Sequence, residues 1–136
     1  MGEFAIGQGV KRTEDPRLLR GGGRYVDDMT LPNTAYGVVL RAAHAHARVK
    51  SIDASAALKA PGVIAVLTDK DWQAQDWADL PGAEMALKRR DGSPMYKPEY
   101  PPMARGLVRW VGDPVAFVVA ETAAEAADAA ELVEVD

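Results

Sequence analysis

The feature that most constrains the fold is a short apolar segment followed directly by an alanine-rich segment, over residues 115–132. Residues 115–120 are valine, alanine and phenylalanine, a composition that predicts a strand. Thr122 and Glu125 have the spacing of a capping box, so we expect a helix to begin after Thr122. Small alanines at positions 123, 126, 127 and 130 would let that helix approach a sheet closely. The two segments therefore predict a helix packed on a β-sheet.

Other short segments also have the composition of strands or helices. Strands are expected at residues 24–26, 35–42, 48–53, 63–68 and 107–111. The run at 63–68 is apolar at nearly every position, which predicts a buried strand. A short helix is expected at 54–60, with Asp53 as its cap, and a helical turn at 69–72. Together these segments predict an α+β fold with a mixed sheet, about two packed helices and a long proline-rich loop.

Two regions lack this patterning. Residues 1–24 are rich in glycine and charge, which predicts an extended N-terminal arm. Residues 73–105 are interrupted by prolines and glycines, and a loop of this length in a domain is usually functional or laid against a partner. We therefore divide the chain into an arm, 1–24, and a domain, 25–136. The alternating Val-Glu-Val-Asp at 133–136 is typical of a strand that continues, so we expect the sequence to be a piece of a longer protein.

Composition excludes several classes of function. The chain has 136 residues and a formal net charge of −4, which argues against a nucleic-acid surface. It has no cysteine, which excludes disulfides, thiolate nucleophiles and cysteine-ligated iron–sulfur clusters within these residues. No apolar run approaches the roughly 20 residues that span a bilayer, and the N-terminus lacks a signal pattern. We therefore expect no nucleic-acid partner, no membrane partner and a cytoplasmic location.

His44 and His46 are the residues that most resemble an active site. They are the only two histidines, and on an extended segment side chains at i and i+2 point to the same face. A zinc or iron site needs a third ligand, and a general base needs a serine, threonine or carboxylate partner. No such residue has a telling spacing. We interpret both as structural histidines that donate hydrogen bonds to the backbone at a strand end, with metal binding as the alternative.

Glycine and aspartate clusters also have structural interpretations. Gly21-Gly22-Gly23 precedes an expected strand rather than a helix, so a tight turn fits better than a phosphate-binding loop. The acidic pairs, Asp27 with Asp28 and Asp69 with Asp71, fall where turns and helix caps favour aspartate. We therefore assign no catalytic, cofactor-binding or metal-ligating residue in this chain.

The proline-rich region contains candidates for a contact with another protein. Lys88-Arg89-Arg90 is the only basic run, and we interpret it as part of a solvated loop, with an anionic partner as the alternative. Trp72, Trp77 and Trp110 are interpreted as packing residues or interface anchors rather than ligand stackers.

A series of short motifs runs through nearly the whole chain. They are Gly-Gly-Arg-Tyr-Val-Asp-Asp at 22–28, Leu-Arg-x-x-His-Ala-His-Ala-Arg at 40–48, Pro-Gly-Val at 61–63, Val-Arg-Trp-Val-Gly-Asp-Pro-Val-Ala at 108–116 and Ala-x-Asp-Ala-Ala-Glu-Leu-Val at 126–133. In this order they resemble the α/β-hammerhead domain at the start of the molybdenum hydroxylase large subunit, the family of xanthine dehydrogenase and aldehyde oxidase. Residues 11–19 are most similar to its bacterial branch, which contains the carbon monoxide dehydrogenase large chain.

The resemblance implies a function for the parent protein rather than for these residues alone. The parent would be a molybdenum-dependent oxidoreductase, whose molybdopterin-type cofactor is held by downstream domains of the same subunit. Iron–sulfur clusters and FAD would belong to partner domains or subunits, in agreement with the absence of cysteine. This segment would be a scaffold without activity or cofactor of its own, able to self-associate when separated from its neighbours.

The sequence departs from the family pattern at two places. Ala42-Ala43 stands where Ser-Pro is common, and Gly112-Asp113-Pro114 replaces the more usual Gly-Glu-Pro. Two other hypotheses stay open at this point. One is a stand-alone interaction module that holds a partner protein through loop 73–105. The other is a small metal protein centred on His44 and His46.

Overall fold

The computed structural model describes Gly7, Gly9 and residues 11–81 and 87–136. The chain divides into two compact units, Met1–Thr34 and Ala35–Asp136. In chain order the elements are α1 (Asp15–Leu18), a 3-10 turn (Val26–Asp28), β1 (Tyr36–Arg41), β2 (Ala47–Arg48), β3 (Ile52–Asp53), a 3-10 turn (Ala57–Lys59), β4 (Val63–Thr68), α2 (Asp69–Ala74), β5 (Leu107–Val108), β6 (Pro114–Ala120), α3 (Ala123–Glu131) and β7 (Glu134–Val135). The α+β class is confirmed, and the described residues of the second unit contain two α-helices, α2 and α3.

The first unit contains little regular structure in its described residues. Helix α1 is one turn long and contains Pro16. Proline is tolerated there because N–H groups in the first turn have no hydrogen-bond partner within the helix. The strand expected at residues 24–26 is wrong, because a 3-10 turn forms there instead. The Asp28 carboxylate accepts a hydrogen bond from the backbone N–H of Tyr25 at 2.8 Å, and such local bonds compete with strand formation. The boundary at residues 24 and 25 stays a prediction.

The core of the second unit is a three-stranded sheet in the order β1-β6-β4. Val118 at its centre pairs with Val38 of β1 and Val66 of β4. A mixed sheet was expected, whereas both of these pairings are antiparallel, as are all others between the described strands. Parallel neighbours need a crossover connection, usually a helix, and in the described part of the chain the only helix longer than two turns, α3, follows the last strand of this sheet.

Helix α3 covers one face of the sheet, as its alanines predict. The Thr122 hydroxyl caps the helix by accepting from the backbone N–H of Glu125 at 3.2 Å. Ala126 and Ala129 are fully buried, and Ala129 belongs to the same core cluster as Val118. Because an alanine side chain is a single methyl group, the helix backbone can lie close to the strands.

Two pairs of two-residue strands flank the sheet. The single strand expected at 48–53 is wrong, because β2 pairs with β5 and β3 pairs with β7. Between them, the N–H of Val49 donates to the Gly106 carbonyl and that of Lys50 to the Asp136 carbonyl. The segment 47–53 therefore pairs with β5 at its start and with β7 at its end. A second small core, centred on Val108 and Val115, lies beneath it.

Three other expected elements are shorter or more exposed in the structure. The strand expected at 107–111 ends at Val108, because the N–H of Arg109 donates to the Asp113 carboxylate instead of to a strand. The helix expected at 54–60 is a single 3-10 turn. Strand β4 forms as expected, but Ile64 is 57% exposed and Leu67 38% exposed, so it is not buried on both faces.

Candidate functional site

The histidine segment lies on the surface between β1 and β2. His44 and His46 are both exposed and lie in a bend rather than on a strand. No hydrogen bond to either imidazole is present among the described residues, so the expected bonds to the backbone do not form there, because exposed side chains can be hydrated instead. Within the described part of the chain, no group of three or more His, Cys, Asp or Glu residues could hold a metal ion. No side chain of the described residues is therefore placed as a partner for either histidine.

The start of this segment is fixed by the Gly112-Asp113-Pro114 turn. The N–H of Ala42 donates to the Asp113 carbonyl at 2.9 Å, and the N–H of Gly112 donates back to the Ala42 carbonyl at 2.8 Å. The Asp113 side chain is buried and accepts from the N–H of Arg109 at 3.0 Å. Gly112 has a φ of +89°, a conformation that strongly favours glycine. The two family departures therefore meet in one structural unit.

The sheet has an apolar face opposite α3 that no helix of the described residues covers. It is formed by alternate residues of the three strands: Gly37 and Val39 of β1, Phe117 and Val119 of β6, and Ala65 and Leu67 of β4. Phe117 and Val119 are only half-buried, although they lie on the central strand. A Cβ at Gly37 would lie 2.2 Å from the Phe117 ring, so glycine leaves the space that the ring occupies. We call this surface the open face.

An ion-pair cluster holds the end of the long loop against α2. Arg105 Nε lies 3.0 Å from Asp69 Oδ2, and its two terminal nitrogens donate to the Asp79 carboxylate at 2.7 and 3.0 Å. Asp69 also accepts from the Gln73 amide. The Asp69 side chain is 9% exposed. Hydrogen bonds that the guanidinium donates to Asp79 and Asp69 raise the pKa of Arg105, so this side chain stays charged.

This Arg105 cluster was not recognised from the sequence. The sequence places Asp69 at a turn or cap and gives no signal for Asp79 or Arg105. Asp69 and Arg105 are 36 positions apart, and no local spacing connects them. A pairing of this kind becomes visible only when the loop is folded.

Next to this cluster, two tryptophans form one wall of a groove. The rings of Trp72 and Trp77 meet edge to face, with centroids 4.8 Å apart and planes at 72°. The Trp72 indole N–H donates to the Ala78 carbonyl at 3.3 Å. The groove has a volume of about 250 Å³, and its other walls include Leu67, Asp71 and Met103. We call it the aromatic groove. The interpretation of these tryptophans as packing or interface residues fits this arrangement.

The basic run forms the tip of a short hairpin. Lys88 bridges to Pro94, and the N–H of Arg89 donates to the Ser93 carbonyl at 2.8 Å. Asp91 accepts from the Ser93 hydroxyl at 2.7 Å, which lowers the pKa of Asp91 together with the bond from the Ser93 backbone N–H. The three basic residues at 88–90 are exposed, in agreement with a solvated loop.

Comparison with known proteins identifies the family. Residues 20–136 match the family described as aldehyde oxidase and xanthine dehydrogenase, a/b hammerhead domain. The chain therefore belongs to this family of molybdenum hydroxylase large-subunit domains. The expected fold class is confirmed by this match. Among the described residues, no helix is both long and apolar enough to cross a membrane.

Individual relatives agree with the family assignment. The carbon monoxide dehydrogenase large chain of Afipia carboxidovorans is 43% identical over 129 residues, which cover 93% of this chain and 14% of that protein. The nicotine 6-hydroxylase large subunit of Paenarthrobacter nicotinovorans is 39% identical and covers 94% of this chain and 15% of its own length. The crystal structure of quinoline 2-oxidoreductase from Pseudomonas putida 86 matches with a TM-score of 0.80 at 36% identity, over 99% of this chain and 16% of that one. The chain thus spans about a seventh of the length of each of these relatives.

Proposed function

We propose that this chain is a structural domain of a molybdenum-dependent oxidoreductase, and that it packs its open face against the cofactor-binding domains of the same large subunit. The observation that carries the proposal is the incomplete burial of Phe117 and Val119, together with the 38% exposure of Leu67, on the side of the core sheet opposite α3. Apolar surface of this kind marks protein contacts, because its exposure to water costs free energy. The parent would oxidise or hydroxylate a small substrate, with iron–sulfur and flavin subunits as the route for electrons.

The described residues of this chain do not fit the molybdenum cofactor itself. The described residues offer no cluster of metal ligands. The aromatic groove has the Asp71 carboxylate on its wall, and a carboxylate repels the phosphate group of a molybdopterin. We therefore assign this chain no chemical step, and its contribution to the reaction would be to hold its neighbours in place.

The first test measures the cofactor content of the purified 136-residue chain, expressed in a host that makes molybdopterin. We expect neither molybdenum nor pterin above the level of the blank. One molybdenum or one pterin per chain would contradict the proposal that this domain is only structural.

A second test examines the open face in the complete large subunit. Phe117→Asp places a charge on that face, whereas Val111→Asp places the same charge on an apolar residue that is 66% exposed in a turn. We expect Phe117→Asp to uncouple the thermal unfolding of this domain from that of the rest of the subunit, and Val111→Asp to leave a single transition. A single unchanged transition for both variants would exclude the open face as the contact. In the isolated chain, the same Phe117→Asp change should reduce self-association measured by sedimentation.

A further inference from the structure

The aromatic groove is held in shape from both sides. Asp69 lies shortly before Trp72, Asp79 lies shortly after Trp77, and both carboxylates bind the same Arg105 guanidinium. The indole N–H of Trp72 is engaged by the carbonyl of Ala78, so this ring is also fixed by a hydrogen bond. The two rings are therefore positioned before any partner arrives, which reduces the entropic cost of binding.

The groove is also anionic. Residues 69–79 contain four aspartates and one lysine. Arg105 pairs with Asp69 and Asp79, whereas Asp71, on the groove wall, forms no ion pair among the described residues. The hydroxyl and the backbone N–H of Thr68 both donate to one oxygen of Asp71, at 2.8 and 2.7 Å. These bonds lower the pKa of Asp71, so its carboxylate is ionised at neutral pH.

Aromatic rings beside a carboxylate that forms no ion pair favour a cationic ligand. A cation is drawn to the face of an indole ring, and more strongly when a negative charge lies nearby. Arginine fits better than lysine, because its planar guanidinium stacks on aromatic rings. Its aliphatic stem can also cover the apolar walls at Leu67 and Met103. A purely aliphatic side chain would not supply the positive charge that the Asp71 carboxylate lacks among its described neighbours.

We propose that the aromatic groove binds an arginine side chain presented by a neighbouring polypeptide. This interaction surface adjoins the open face at Leu67 but is centred on Trp72 and Trp77, and its partner is defined by charge rather than by apolar area alone.

The test uses the arginine probe N-acetyl-arginine amide, with N-acetyl-citrulline amide as an uncharged probe of the same shape. The indole N–H signals of the 15N-labelled chain report binding, and Trp110, which does not line the groove, is an internal reference. We expect arginine to shift the Trp72 and Trp77 signals and to bind about fivefold more tightly than citrulline. Equal shifts with citrulline, or equal shifts at Trp110, would refute the proposal.

Two matched variants test whether the Asp71 charge is responsible for arginine binding. Asp71→Asn should lower the arginine affinity to that of citrulline, whereas Asp91→Asn, at another exposed Asp that accepts from a nearby hydroxyl, should leave it unchanged. If Asp71→Asn disturbs the fold, the unaltered chain can be titrated at about 0.02 M and at about 0.5 M salt instead. The higher salt concentration should weaken the binding of the arginine probe but not that of the citrulline probe. No loss in either case contradicts a charge-based site. Shifts that follow protein concentration, with no effect of the probe, would instead assign the groove to a second copy of the chain.

Discussion

Both faces of the central sheet are apolar, but only one of them is packed against α3. On the helix side, Ala116, Val118 and Ala120 of β6 are all fully buried. On the open side, Phe117 and Val119 of the same strand are only half-buried. Because side chains of a strand alternate between faces, neighbours in sequence experience different environments. One strand therefore supplies the core of the domain with alternate residues and a contact surface with the others.

The largest expected effect separates the two faces directly. Val118→Asp would place a charge in the core beneath α3 and should lower the free energy of unfolding by about 3 kcal/mol or more. Val119→Asp, one residue along, should cost much less in the isolated chain, because water reaches that side. Urea denaturation of both variants tests this difference. Equal losses would mean that the open face is covered within this chain.

A smaller effect is expected at the cluster beside the aromatic groove, which shares Leu67 with the open face. Arg105→Lys keeps the charge but cannot bind two carboxylates in the same planar geometry. We expect a loss of about 1 kcal/mol, limited because Arg105 is 32% exposed. Near-ultraviolet circular dichroism should change as the tryptophans reorient, while Arg90→Lys, in the exposed hairpin, should change neither quantity. An unchanged Arg105→Lys spectrum would show that the cluster does not hold the rings.

The open face also depends on one glycine. Gly37→Ala puts a methyl group where the Phe117 ring lies, and we expect a loss of about 1 kcal/mol because the half-exposed ring can move outward. Gly37→Ala combined with Phe117→Leu should lose less than the sum of the single changes, measured as a double-mutant cycle. Additive losses would mean that the ring and the glycine are not in contact.

The smallest expected effect is a dependence on pH at the start of α2. Because bonds from Thr68 lower the pKa of Asp71 in the folded chain, ionised Asp71 stabilises the fold above its unfolded pKa. That contribution is lost as the pH falls from about 4 through the lower folded value. Asp71→Asn should therefore cost at most about 1 kcal/mol at neutral pH, and the gap from the unaltered chain should close in acid. Thermal melts at a series of pH values measure it, and a constant gap would contradict the role of this charge.

The resemblance to the molybdenum hydroxylase family is confirmed, and its motifs also coincide with structural units. Leu40 and Arg41 are the last two residues of β1, and the Gly112-Asp113-Pro114 turn is hydrogen-bonded to Ala42 just after them. The paired histidines between these anchors and β2 have no partner among the described residues. Their motif therefore identified the family without identifying a catalytic site.

Three strands and one helix were predictable from the sequence because their signals are local. The strands at β1, β4 and β6 have runs of β-forming residues, and Thr122 with the alanines after it defines α3. The bounds and partners of the two-residue strands were not predictable, although strands were expected at 48–53, 107–111 and 133–136, because so short a strand has no periodicity and its partner lies far along the chain. The same reason hides the contact between Arg105 and Asp69.

The sequence by itself thus determined the fold class, the family and the helix that packs on the sheet, since composition, motifs and capping act over a few residues. Only the tertiary structure decided which face of β4 and β6 stays open, and which carboxylates Arg105 binds. Exposure depends on what covers a surface, and an ion pair depends on distance in space. Neither the exposure of a face nor an ion pair between distant residues can be deduced from local sequence spacing.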